Sequence, residues 1–282
     1  MRLIVLLVVL VLRRLDLSWP EWMKNHRGER LFMSPLVSFS SAESGAWLLR
    51  VMLPGVAVFG VLYILSQLIW GLPALLAGGV LVIWLLGTGS EFRSLDELVV
   101  RGRLNDAEEL ESAAREHFGH TASITDEGYF VGLCRAIGQR EAGYLFAAIF
   151  YLVTLGYAAL TIYILNRWLA ERRDSGSSWA RTCDDAFTWL PSRLLIITLA
   201  LAADFRRVMT AVDGRIWQQP DSSQDGDEVL SDALTAALDI TDEDEQANIQ
   251  EGVEILEELQ SLLLRVLSIW LMFSAAWVLL IG

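Results

Sequence analysis

Two apolar runs parted by a single glycine set the first limit on this chain. Trp47–Trp70 is interrupted only by Arg50 and Gln67, and Leu72–Gly89 carries no charge. Gly71 separates them and Pro73 follows. A crossing helix needs about 20 apolar residues to match the hydrocarbon thickness of a bilayer. The pair therefore predicts a helical hairpin that crosses a membrane twice, and Gly78-Gly79 would let a neighbouring helix approach closely. Composition agrees, since 54% of the 282 residues are hydrophobic by a count that omits glycine. A soluble domain reaches roughly 45–50% only with glycine included. The net charge of -13 argues against a nucleic-acid partner, because phosphate backbones require a basic face. Cys134 and Cys183, the only cysteines, support neither a disulfide framework nor a cysteine-based zinc site.

Four further segments extend the pattern. Leu3–Leu12, closed by Arg13-Arg14, reads as an uncleaved N-terminal anchor reaching to about residue 17, since no small-residue cleavage site follows. Trp19, Trp22, Lys24, Arg27 and Arg30 then suit a cytoplasmic membrane interface. Segment 143–168 has arginines on both flanks, Arg135 and Arg140 before it and Arg167, Arg172 and Arg173 after it. The preference for positive charge on one side leaves two readings open, a single crossing or a broken hairpin turning near Gly156. Segments 187–203 and 262–281 complete the set. Between them, 90–142 and 204–260 are polar, with helical spacing of Leu95, Leu98, Val99, Leu104 and Leu110, of Leu230, Leu234 and Leu238, and of Ile249, Val253, Leu256 and Leu259. The expected fold is an all-α polytopic membrane bundle with four to six membrane segments, at about 3–17, 47–70, 72–89, 143–168, 187–203 and 262–281, and helical polar loops.

Chemistry concentrates at Arg181–Arg193. On a helix Arg181, Asp184 and Asp185 share a face. Adjacent carboxylates can hold Mg²⁺ through one or two oxygens, and arginine grips phosphate or carboxylate with a planar fork. A structural reading stands beside this one: Thr182 and Asp185 fit the Thr-x-x-acid pattern that caps a helix start. Arg193 lies inside an apolar run, where a charge must pair, reach the interface or serve a function. His117 and His120 lack further zinc ligands nearby and read as solvated loop residues. The acidic run Asp242–Glu245 lacks the spacing of a calcium loop and reads as a solvated face.

The order of these motifs resembles the AmpE family of inner-membrane proteins and, more distantly, the cobinamide-phosphate synthases. Ala180-Arg181, Asp184-Asp185 and Leu190-Pro191-Ser192-Arg193-Leu194 form the best match, similar to Ala-Arg, Asp-Asp and Ile-Pro-Ala-Arg-Leu of the synthases. Asn105-Asp106 with Ala114-Arg115, Gly119-His120-Thr121, Arg135-Ala136 and Glu141 follow in the same order. The synthases' early His-Pro-Val has no counterpart. Ile164-Leu165-Asn166-Arg167-Trp168 stands where they carry Asn-Thr-Leu-Asp-Ser-Met.

The resemblance implies a multi-pass protein of the bacterial inner membrane, linked to β-lactamase induction and cell-wall recycling, and its departures imply loss of the full synthase reaction. It implies that Asp106, Arg115, Arg135, Glu141, Arg181 and Arg193 bind an anionic muropeptide- or phosphate-bearing ligand at the cytoplasmic face, with Mg²⁺, if one binds, on Asp184 and Asp185. Two alternatives remain open. One is a Mg²⁺- or nucleotide-dependent ligase-like membrane enzyme. The other is an interaction protein that docks a cytoplasmic partner through acidic segment 221–258.

Overall fold

The computed structural model describes residues 2–14, 45, 47–68, 71–87, 91–171, 178–218, 223–241 and 244–281, and all regular structure among them is helical. The α-helices are, in order, α1 (Arg2–Arg14), α2 (Leu53–Ser66), α3 (Leu72–Leu86), α4 (Glu91–Arg103), α5 (Ala107–Phe118), α6 (Tyr129–Glu141), α7 (Ala147–Thr154), α8 (Tyr157–Ala170), α9 (Ser178–Ala202), α10 (Phe205–Val212), α11 (Ser223–Ala237) and α12 (Ile249–Ile281). π-helical turns precede α2 at Leu48–Met52 and follow α6 at Ala142–Phe146. The predicted extension of the anchor to residue 17, the interfacial residues from Trp19 to Arg30 and Asp242-Glu243 lie outside the described residues.

Among the described residues, three helices are long and apolar enough to cross a membrane: Leu48–Ser66, Ser178–Ala202 and Ile249–Leu280. Leu72–Leu86 is a shorter apolar helix.

The chain divides into two compact units, one made of Met1–Gly89, Ala147–Thr188 and Ser274–Gly282, the other of Ser90–Phe146 and Trp189–Phe273. In the first, proline sits in the opening turn of both α2 and α3, where its missing N–H breaks no helical bond. Gly71 takes φ 76° before α3, a left-handed conformation that favours glycine. α2 buries only Gly55 and leaves Val56, Phe59 and Ile64 exposed. A helix that hides almost none of its apolar surface in protein has a surface suited to lipid. A Cβ on Gly78 would lie 2.7 Å from the Tyr157 ring, so this glycine admits Tyr157 of α8.

Segment 143–168 is interrupted. α7 ends at Thr154 and α8 begins at Tyr157, with Gly156 at φ 97° between them. Tyr151 and Tyr163 stack across the break with ring centroids 4.9 Å apart. Twelve residues of unbroken helix would separate them by about 18 Å, so the two arms fold back on each other.

In the second unit α4, α5, α6, α11 and the first turns of α12 bury Leu95, Leu98, Leu110, Leu133, Leu234 and Leu256. Leu104 departs from the predicted apolar stripe: α4 ends at Arg103, Asn105 turns at φ 56°, and Leu104 is exposed. Asp106 then caps α5, its carboxylate accepting from the Glu109 N–H at 3.2 Å. Asn248 and Glu251 cap α12 reciprocally, the Asn248 amide oxygen accepting from Glu251 N–H at 3.1 Å and Glu251 accepting from Asn248 N–H at 2.9 Å. The amphipathic helix expected around Ile249–Leu259 and the terminal apolar segment 262–281 are one continuous helix of 33 residues. No proline or capping residue interrupts it, and Arg265 instead reaches across to donate to the last carbonyl of α9, Ala202, at 3.0 Å.

Candidate functional site

Helix α9 carries the centre of interest. It starts at Ser178, ahead of the predicted cap, so the capping reading of Thr182 and Asp185 is not what forms. The Thr182 hydroxyl donates backward to the Ser178 carbonyl at 3.3 Å, as a hydroxyl inside a helix does. Pro191 interrupts the backbone ladder within α9. Having no N–H, it leaves the Phe187 carbonyl without its helical donor. The Tyr151 hydroxyl supplies one at 2.8 Å.

In the first unit Asp184 belongs to a polar network. Arg167 Nη1 donates to Asp184 Oδ2 at 3.0 Å, and Asn166 Nδ2 reaches Asp184 Oδ1 at 3.4 Å and the Ala180 carbonyl at 3.1 Å. Trp47 Nε1 donates to Asn166 Oδ1 at 2.8 Å. Arg167 also meets Glu171 at 3.5 Å. The network satisfies the amide of Asn166, which is fully buried. Arg181 is exposed and donates to the carbonyl of Ala170 at 3.3 Å, at the end of α8.

This arrangement does not fit Mg²⁺ on Asp184 and Asp185. Neighbouring residues of an uninterrupted helix leave it about 100° apart. Both oxygens of Asp184 are engaged by Arg167 and Asn166. Among the described residues no group of three or more His, Cys, Asp or Glu side chains could hold a metal ion.

The other predicted residues lie in the second unit. Asp106 is the exposed cap of α5, and Arg115 and Arg135 are exposed on α5 and α6. Glu141, the last residue of α6, is buried. Arg193 is 1% exposed. Its Nη2 makes a long contact of 3.5 Å to the Gln218 carbonyl, and its Nε and Nη1 have no hydrogen-bond partner. The guanidinium carbon sits 5.9 Å from the Trp189 ring centre, and the Trp189 indole N–H is also buried without an acceptor. The structure thus assigns Arg181, Asp184 and Asp185 to one unit and Asp106, Arg115, Arg135, Glu141 and Arg193 to the other.

Around the loop between α5 and α6, Glu111 accepts the Ile124 N–H at 2.6 Å and the Ser123 hydroxyl at 2.9 Å. These bonds, the backbone one first, hold its carboxyl below the usual range. The histidines are not the solvated pair expected. His117 meets Glu97 at 3.2 Å, and His120 packs edge-on against Tyr129 at 5.0 Å. Burial lowers the His120 imidazole below its ordinary value and pushes the Tyr129 phenol up to about 12.

Sequence reasoning missed Trp47, Asn166, Arg167 and Trp189. The signal for two of them was present: Asn166-Arg167 closes an apolar stretch, and an amide or cation there requires a partner. No family model, curated protein or solved structure matches this chain.

Proposed function

We propose that this chain is a multi-pass protein of the bacterial inner membrane, of the AmpE type, with four to six membrane segments. In this reading it binds an anionic ligand at the cytoplasmic membrane face and regulates β-lactamase induction in step with cell-wall recycling. One observation supports ligand binding above the others: Arg193 is a buried guanidinium that no carboxylate among the described residues pairs with, and two of its nitrogens lack acceptors. Arginine stays charged in proteins, and a buried charge without a partner is strongly unfavourable. An anion arriving from outside the chain would complete it. The lipid-suited surfaces of α2 and the three long apolar helices support the membrane setting, and the motif order from Asp106 to Arg193 supports the regulatory assignment.

The test is genetic. A strain lacking the chain is complemented with the wild type or with Arg193→Met, and both β-lactamase induction and membrane abundance are scored. Altered induction at normal abundance is expected. Unchanged induction in the strain lacking the chain altogether would remove the regulatory reading.

A further inference from the structure

We propose that Arg193 and Trp189 form a phosphate-binding site, with Trp189 as the second donor; the inference rests on the anionic-ligand reading and names its chemical class. Three of the buried nitrogens without acceptors in the second unit belong to neighbouring side chains: Arg193 Nε, Arg193 Nη1 and Trp189 Nε1. They lie on one helix, α9, four residues apart, on adjacent turns of the same face. The guanidinium carbon stands 5.9 Å from the indole ring centre, so the two donor residues are immediate neighbours.

The donor inventory selects the ligand. A guanidinium carries one N–H on Nε and two on each Nη, and an indole carries one more. With Nη2 turned to the Gln218 carbonyl at 3.5 Å, the three open nitrogens present four N–H groups. A carboxylate offers two oxygens. A phosphate ester offers two or three charged oxygens around a tetrahedral centre, able to accept from groups that approach from different directions. Both donor residues are immobilised by burial of their polar atoms, so little side-chain freedom remains to be lost on binding. Gln218 belongs to the polar segment that follows α10, outside any apolar run, and brings a backbone carbonyl rather than a carboxylate to the guanidinium.

The phosphate can come from a lipid headgroup or from a soluble ester, and the experiment separates them. The full chain is purified in detergent, and its unfolding temperature is followed while inorganic phosphate, acetate or chloride is added at constant ionic strength. The same measurement is made in phosphatidylcholine nanodiscs with and without phosphatidic acid. Phosphate is expected to raise the unfolding temperature and acetate to do so much less. Arg193→Met should abolish the response. Trp189→Phe, which keeps the cation and an aromatic ring beside it, should weaken the apparent phosphate affinity about tenfold, as loss of one hydrogen bond to a charged group does. If Arg193→Met fails to accumulate, Trp189→Phe alone reads the site. Stabilisation by phosphatidic acid that leaves no further response to inorganic phosphate assigns the lipid source; a full response in both nanodiscs assigns the soluble one. Equal responses to acetate and phosphate, both Arg193-dependent, would overturn the phosphate assignment and leave the anionic reading standing. No response to either anion, or an undiminished response in Arg193→Met, would overturn both.

Discussion

The Tyr151 hydroxyl donates to the Phe187 carbonyl at 2.8 Å, the carbonyl that Pro191 deprives of its helical partner. A proline inside a helix removes one N–H, and in an apolar setting the orphaned oxygen costs free energy unless another donor reaches it. Tyr151 is placed to do so by the break at Gly156, which folds α7 back along α8. The bend in one segment and the proline in another are thus two halves of one solution.

Tyr151→Phe should therefore lower stability by about 1–3 kcal/mol, the usual cost of leaving a buried acceptor unsatisfied. In a Pro191→Ala background the alanine N–H can restore the helical bond, and the same Tyr151→Phe change should cost clearly less. A double-mutant cycle on unfolding in detergent checks this. Equal costs in both backgrounds would show that the hydroxyl does not compensate for the proline.

The Arg167–Asp184 pair should behave asymmetrically. Its side chains are 19% and 14% exposed, so either charge left alone is poorly solvated. Arg167→Met or Asp184→Asn alone should destabilise by about 3–5 kcal/mol, while Arg167→Met combined with Asp184→Leu should cost much less than the sum. Membrane abundance and unfolding temperature of the three variants report the difference. For this reason Asp184→Ala is a poor probe of ligand binding: it takes from Arg167 the nearer of its two carboxylates, whatever else Asp184 does.

How much of this could be read in advance depended on the range of the interaction concerned. Periodicity gave the helical class and most apolar segments, because burial of Leu95, Leu98 or Leu234 repeats with the helix. Gly156 marked its turn, since a glycine in the middle of an apolar run is a local signal. The Asn248–Glu251 cap was equally local and visible in the Asn-x-x-Glu spacing, yet went unread. Long-range partnerships were different. Nothing in the sequence pairs Arg167 with Asp184, 17 residues apart, or Tyr151 with Phe187, 36 apart. These depend on how helices pack, and no local pattern encodes that. Arg193 stood out because a charge inside an apolar run is conspicuous by itself; its Trp189 neighbour did not, because tryptophan is unremarkable there.

Acid should loosen the loop between α5 and α6 in two stages. The His120 imidazole is held below its ordinary 6.5 by burial. Its neutral form is favoured by the fold, so its stabilising contribution is complete above pH 6.5 and declines as pH falls from there through the lowered folded value. The Glu111 carboxyl is held below its ordinary 4.5 by the Ile124 N–H and the Ser123 hydroxyl. Its contribution is complete above pH 4.5 and is lost as pH falls further. Hydrogen exchange at Ile124 across an acid titration checks this. His120→Gln should remove the upper stage and leave the lower, and Glu111→Gln should do the reverse.

Gly252 lies in the first turn of α12, and a Cβ placed there would collide with three carbons of the Phe130 ring. Phe130 is buried, so its ring has little room to retreat. Two effects oppose each other in Gly252→Ala. Alanine gains about 1 kcal/mol of helix propensity over glycine in a helix interior, and less near an end already fixed by the Asn248–Glu251 cap. Overpacking a tight core costs about 1–3 kcal/mol. The clash should prevail, and Gly252→Ala should lower the unfolding temperature. Trimming the ring with Phe130→Leu should make the same alanine neutral or stabilising, because the space is then available and the propensity gain remains. A destabilisation by Gly252→Ala that persists unchanged in the Phe130→Leu background would mean that the contact between these two residues is not what requires glycine.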